Sequence, residues 1–271
     1  MSLTIPQIVA TVASVERDLQ RSDRAFDLTF AGRCMPGGRE GGPIGDFFDT
    51  LVLDEHRLLI AIGEIAGHGL IAGSRMRQLR AAVRRVARST SSPAVLLGVL
   101  DETCVLEGED DIATMWVGVY HDETGLLRYA SAGHPPPVFA EIGRPPRLLE
   151  AATAPPLGTG VVAGHAQVHE LRWPAGALLA AYSDGLVERR ERDLEQQIQR
   201  LRELVGFSRA ALGPRANPRE LAEALLAAAL SDLVEPPDDI CILVLRRDAS
   251  AVTADGSTEP VQDVREIVGL R

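Results

Sequence analysis

Strand-like runs in this chain follow one another through short turns, and its helix-like runs come in pairs. A doubly wound sheet would alternate strand with helix throughout, so this grouping points to an α+β chain of mainly antiparallel sheets covered by helices. Phe26-Asp27-Leu28-Thr29-Phe30 alternates as a half-buried strand should. After the Gly/Pro-rich loop Pro36 to Gly45, the runs Phe47 to Leu53 and Arg57 to Ile62 flank the polar turn Asp54-Glu55-His56 and read as a hairpin. Ala113 to Tyr120 and Leu126 to Ala132 form a second such pair around Asp122-Glu123-Thr124-Gly125. Val138 to Glu141, Ala166 to Leu171, Ala177 to Tyr182 and Ile240 to Leu245 are further strands.

The period becomes helical from Leu70 to Arg88, where Met76, Leu79, Val83 and Val86 make an apolar stripe. Arg80, Arg84 and Arg88 line another face at four-residue spacing and read as a solvated face. Ser92-Pro93 caps and opens a helix running to about Leu106. A second pair comprises one helix with Leu194, Ile198, Leu201 and Val205 on a face and another opened by Asn217-Pro218-Arg219-Glu220, a capping-box pattern. Two stretches lie outside this body. Ile5 to Leu19 has helical spacing and reads either as a docking or dimerising helix or as one packed on its own domain, and Pro260 to Leu270 as a short terminal helix. The organisation expected is an extension over 1–25, one domain over 26–247 and a polar tail over 248–271.

Composition removes several function classes. All 28 basic residues are arginine, so lysine Schiff-base chemistry and the P-loop and kinase lysines are excluded. A net charge of −10 is a poor match for a phosphate backbone, and no window reaches the roughly 18–20 apolar residues of a membrane helix, so neither nucleic acid nor a membrane is expected. Cys34, Cys104 and Cys241 are far apart and read as reduced thiols of a cytoplasmic protein.

The chemistry is carried by acidic residues set beside glycines at strand ends. Gly45-Asp46 enters a strand, Gly63-Glu64-Ile65-Ala66-Gly67-His68-Gly69 leaves one, Ser183-Asp184-Gly185 follows one, and Pro237-Asp238-Asp239 precedes the last. Singly, each is an ordinary turn. Together they can converge on hard divalent cations, which want oxygen ligands and a partly hydrated shell.

The ordered set Asp46-Phe47-Phe48-Asp49, Gly67-His68-Gly69, Ala132-Gly133-His134-Pro135-Pro136-Pro137, Pro156-Leu157-Gly158, Ser183-Asp184-Gly185-Leu186 and Asp238-Asp239-Ile240 closely resembles the SpoIIE/RsbU-like branch of the metal-dependent PPM (PP2C-type) serine/threonine phosphatases. The resemblance implies an α-β-β-α sandwich with two Mn²⁺ or Mg²⁺ ions between the sheets. It places metal ligands at Asp46, Glu64, Asp184 and Asp238, with the Ile65 carbonyl as a backbone ligand, and needs no protein nucleophile. It also implies a phosphorylated protein substrate of the anti-sigma-factor-antagonist kind. Two departures stand out: Glu64 where the family has Asp, and Ile44 where it usually has Gly. Glu64 is the one feature favouring a rival reading, a phosphatase fold that only binds a partner. A phosphoesterase acting on small phosphates is a third reading. His68 and His134 have no second ligand at metal-binding spacing and read as structural.

Overall fold

The computed structural model describes residues 23–37, 44–67, 69–107, 112–150, 154–189, 192–213, 215–231 and 236–249. The Ile5 to Leu19 and Pro260 to Leu270 stretches and His68 lie outside the described residues.

One sheet runs in the order β1 (Asp23–Ala25), β2 (Leu28–Met35), β11 (Ile240–Arg247), β10 (Leu178–Tyr182), β7 (Val138–Ala140), β8 (Arg147–Leu148). The other runs β3 (Asp46–Val52), β4 (Arg57–Ile65), β5 (Ala113–His121), β6 (Leu126–Ala132), β9 (His169–Arg172). Every pairing between these named strands is antiparallel.

Helices α1 (Gly69–Val86) and α2 (Pro93–Glu107) cover the second sheet, burying Leu79, Val83, Leu96 and Leu100 with Leu59, Ala61 and Val117. Helices α4 (Leu194–Leu212) and α5 (Pro218–Leu230) cover the first, burying Val205, Leu221 and Leu225 with Ile242 and Val244. Ile60, Ile62, Trp116, Leu179 and Leu243 fill the space between the sheets. The α-β-β-α sandwich expected from the sequence is the observed architecture.

Burial on both faces explains why Leu58 to Ile62 is a continuous apolar run. Leu58, Ile60 and Ile62 face the other sheet, while Leu59 and Ala61 face the helices. The same alternation fixes where Glu64 points: inward, with Ile62.

Several elements differ from the sequence expectation. The strand expected over Phe26 to Phe30 starts only at Leu28, since Phe26 (φ +57°) and Asp27 form the turn between β1 and β2, and it runs on to Met35. Gly32, which breaks the alternation, is where the Phe48 ring comes against the strand, and a Cβ there would stand 2.5 Å from that ring. The strand expected over Ala166 to Leu171 begins only at His169, after the four-residue helix α3 (Val162–His165). β1, β8 and α3 are too short to show any period.

Two readings of side chains are corrected. Cys34 and Cys241 are not free thiols: they are directly opposed on β2 and β11 and joined by a disulfide across 207 residues, with Cα atoms 4.1 Å apart. Spacing along the chain says nothing of this pairing, which sheet register creates, and the thiol argument for a reducing compartment falls with it. Nor is the arginine row wholly solvated. Arg84 grips the carboxylate of Asp49, which is 5 % exposed, through Nε (2.6 Å) and Nη2 (2.9 Å), and Arg80 adds longer bonds at 3.3 and 3.4 Å. Asp49 has the parity of Phe47 and faces α1, so it needs a cation there. Removing the closer partner in Arg84→Ala should lower stability by about 1–2 kcal/mol, with Arg80 still present, as read by urea unfolding. An unchanged midpoint would show the pair to be energetically idle.

Candidate metal centre

The end of the sandwich where β3 begins and β4 ends gathers carboxylates from both sheets. Asp46, the first residue of β3, lies opposite Glu64 on β4, which lies opposite Thr114 on β5. Opposed residues share a face, so this row points into the space between the sheets. The facing sheet contributes Asp184, which opens a single 3-10 turn (Asp184–Leu186) after β10, and Asp238, which stands just ahead of β11. One carboxylate oxygen each from Glu64, Asp184 and Asp238 lie within 4.8 Å of one another. Asp46 stands beside this trio through its register with Glu64.

The glycines at the site are steric requirements. A Cβ on Gly185 would stand 2.0 Å from the Asp239 carbonyl oxygen, and one on Gly45 would stand 3.1 Å from the Ile65 carbonyl oxygen. The Ile65 carbonyl therefore lies against the loop that delivers Asp46, and Ile65 N–H donates to the Gly45 carbonyl at 3.3 Å.

Burial and mutual repulsion set the electrostatics. Burial first, then Asp239, Asp184 and Asp238, pushes the Asp46 carboxyl up to about 8, although a hydrogen bond with Ser183 opposes the shift. Burial followed by the charges of Asp46 and Asp184 pushes Glu64 up to about 10. Asp184 is raised as well, chiefly by burial. Asp46 Oδ2, Glu64 Oε2 and Asp184 Oδ1 are buried acceptors with no hydrogen-bond partner. Three orphaned carboxylate oxygens on converging side chains fit a hard divalent cation, which satisfies them and offsets their repulsion at once.

Asp239, which the sequence shows only as a neighbour of Asp238, holds both flanks of the Gly/Pro-rich loop. Its Oδ1 accepts from Gly37 N–H at 2.9 Å and its Oδ2 from Gly45 N–H at 2.8 Å. Ser183 is fully buried; its hydroxyl accepts from Cys241 N–H at 2.7 Å, fixing the turn that carries Asp184. The Pro156-Leu157-Gly158 motif is structural. Leu157 exchanges backbone bonds with Ala113 (2.8 and 3.1 Å), and buried Asp101 accepts from the N–H groups of Gly158, Gly160 and Val162. His134 is 2 % exposed, with Nδ1 2.8 Å from Thr114 Oγ1 and Nε2 3.1 Å from the Tyr182 carbonyl. Burial lowers its pKa to about 3, so the ring is neutral.

A family model described as stage II sporulation protein E (SpoIIE) matches residues 54–248. The chain belongs to the SpoIIE family. A curated relative, the phosphoserine phosphatase RsbP of Bacillus subtilis (strain 168), is 28 % identical over 149 residues, which are 53 % of this chain and 36 % of RsbP. The chain thus spans about a third of the curated relative that it matches. The solved RsbU and RsbW domains of a Mycobacterium tuberculosis protein superpose with a TM-score of 0.72 at 29 % identity, covering 82 % of this chain and 60 % of that one. The PP2C phosphatase domain of Bacillus subtilis SpoIIE, with a fragment of its regulatory domain, gives a TM-score of 0.67 at 17 % identity, covering 82 % and 64 %. The Bacillus subtilis domain is described as a PP2C phosphatase domain, and this chain shares its fold.

Proposed function

We propose that this SpoIIE-family chain is a metal-dependent phosphoprotein phosphatase that hydrolyses phosphoserine or phosphothreonine. Asp46, Glu64, Asp184 and Asp238 would hold two Mn²⁺ or Mg²⁺ ions, with the Ile65 carbonyl completing the set. The observation that carries the reading is the convergence of Glu64, Asp184 and Asp238 from two sheets, with partnerless buried oxygens on the first two. When bound, such ions supply Lewis-acid charge that polarises a phosphoryl oxygen and activates water. The chain's own contribution is to aim four carboxylates at one place, to hold them there through Asp239 and Ser183, and to keep His134 neutral beside them. The Ser183 hydroxyl is buried and tied to Cys241 N–H, which supports a reaction without a protein nucleophile.

The substrate is proposed as a phosphorylated regulator of the anti-sigma-factor-antagonist kind. The description of RsbP as a phosphoserine phosphatase supports a phosphoserine protein over a small phosphate. Glu64 keeps an oxygen within the cluster despite its extra methylene, which supports an enzyme over an inactive binding fold.

The test is phosphate release from a phosphoserine protein and from p-nitrophenyl phosphate, with and without Mn²⁺. Turnover of the phosphoprotein that EDTA abolishes and Mn²⁺ restores is the expected result, because hard oxygen-donor sites of this kind exchange their metal. Full activity after exhaustive chelation would overturn the metal reading, and turnover of the small ester alone would overturn the substrate class.

A further inference from the structure

We propose that His134 is a positioning residue whose imidazole sets the gap between the two ligand-bearing sheets at the metal end of the sandwich. The inference rests on the metal reading above.

His134 stands where the chain leaves β6 of one sheet for β7 of the other. Its backbone is pinned at that crossing. Gly133 has φ +67°, donates to the Ala154 carbonyl at 2.9 Å, and lies so close to Pro156 that a Cβ would stand 2.8 Å from its ring. The Ser131 hydroxyl reaches the His134 carbonyl at 3.3 Å.

From this anchor the ring extends one nitrogen to each sheet. A backbone carbonyl only accepts, so Nε2 carries the proton and donates to Tyr182 on β10, leaving Nδ1 to accept from the Thr114 hydroxyl on β5. Both contacts adjoin ligands. Thr114 is directly opposite Glu64, on the same inward face. Tyr182 ends β10, with only Ser183 between it and Asp184. One rigid ring therefore spans from beside Glu64 to beside Asp184.

The location explains why a polar strut is needed. One layer deeper, Ile62 and Trp116 close the gap between the sheets by apolar contact. In the outermost layer their places on β4 and β5 are taken by Glu64 and Thr114. There Glu64 on one sheet faces Asp184 and Asp238 on the other, so no apolar contact closes the gap in that layer. Hydrogen bonds from a buried, uncharged ring hold the separation without adding positive charge where cations are to bind. Leucine would fill the space but bond to neither sheet. Glutamine can both donate and accept.

The experiment measures Mn²⁺ affinity directly, by the free-ion EPR signal, on the full chain and on His134→Leu, His134→Gln and Thr114→Val, with the melting temperature of each metal-free protein alongside. His134→Leu should weaken Mn²⁺ binding by about 10- to 100-fold, the range found when a partner that orients a metal ligand is lost. His134→Gln should recover most of that loss. Thr114→Val, which removes one of the two bonds and little volume, should lose several-fold while the metal-free melting temperature moves by only a few degrees. If His134→Leu does not fold, Thr114→Val decides. Wild-type affinity in the variants, with or without a lower melting temperature, would overturn the positioning role and leave the metal reading standing. A wild-type protein that binds no Mn²⁺ would overturn both.

Discussion

Asp184→Asn abolishes metal-dependent turnover and raises the melting temperature of the metal-free protein. Asp184 is one of three carboxylates within 4.8 Å of one another, its Oδ1 is buried without a partner, and burial already disfavours its ionised form. Its charge is therefore a cost to the folded chain that only a bound cation recovers. Asparagine keeps the shape and removes the charge, so the metal-free protein gains stability while the proposed metal site loses a ligand. The fall in turnover should exceed the roughly 10- to 100-fold that follows loss of an outer-shell partner. Asp238→Asn should behave in the same way. Phosphate release and thermal melts in EDTA are the measurements, and a large drop in metal-free stability would mean that Asp184 is simply a turn residue.

The convergence behind this expectation was partly legible in the amino-acid order. Asp46, Glu64, Asp184 and Asp238 each show as an acid beside glycine or proline at a strand end, because close backbone approach leaves a local mark. The β3–β4 hairpin was legible for a similar reason: its turn and its alternation are both local. What was hidden depends on register between distant strands. Nothing in the chain order sets Cys34 against Cys241, and nothing in Asp238-Asp239 says that the second carboxylate ties down Gly37 and Gly45. Arg80 and Arg84 lie at a spacing that a solvated face also shows. Only the helix-facing parity of Asp49 on β3, an acid on a buried face, could have announced their partner.

A second large effect concerns pH. The unfolded chain loses the protons of Asp46 and Glu64 near pH 4, whereas the folded, metal-free chain holds them to about 8 and 10. Between those limits the folded state binds more protons than the unfolded one, so stability falls as pH rises, by roughly 1 kcal/mol per pH unit for each proton retained. The stabilising contribution is complete below pH 4 and is lost progressively as pH rises to about 8 for Asp46 and about 10 for Glu64. With saturating Mn²⁺ the trend should reverse, because the cation binds the deprotonated carboxylates and stabilises the fold by mass action. Melting curves across pH 5 to 9, in EDTA and in Mn²⁺, read both slopes. A metal-free melting temperature that stays flat would mean that the carboxylates are not crowded as described.

The place of β11 bears on how the protein is made. That strand, Ile240–Arg247, sits between β2 and β10, with about 200 residues separating it from β2 in the chain. At ribosomal speeds of about 5–20 residues per second, β2 waits roughly 10–40 s for its neighbour. During that interval the helix-covered second sheet, contiguous apart from β9, can assemble, while the other stays split and its inner edge unpaired. Asp238 arrives just ahead of the strand that closes the gap. A nascent chain thus acquires the last of the proposed acidic ligands and its finished sheet at the same moment, and a product truncated before residue 238 is left with an exposed sheet edge and without one carboxylate of the proposed cation site.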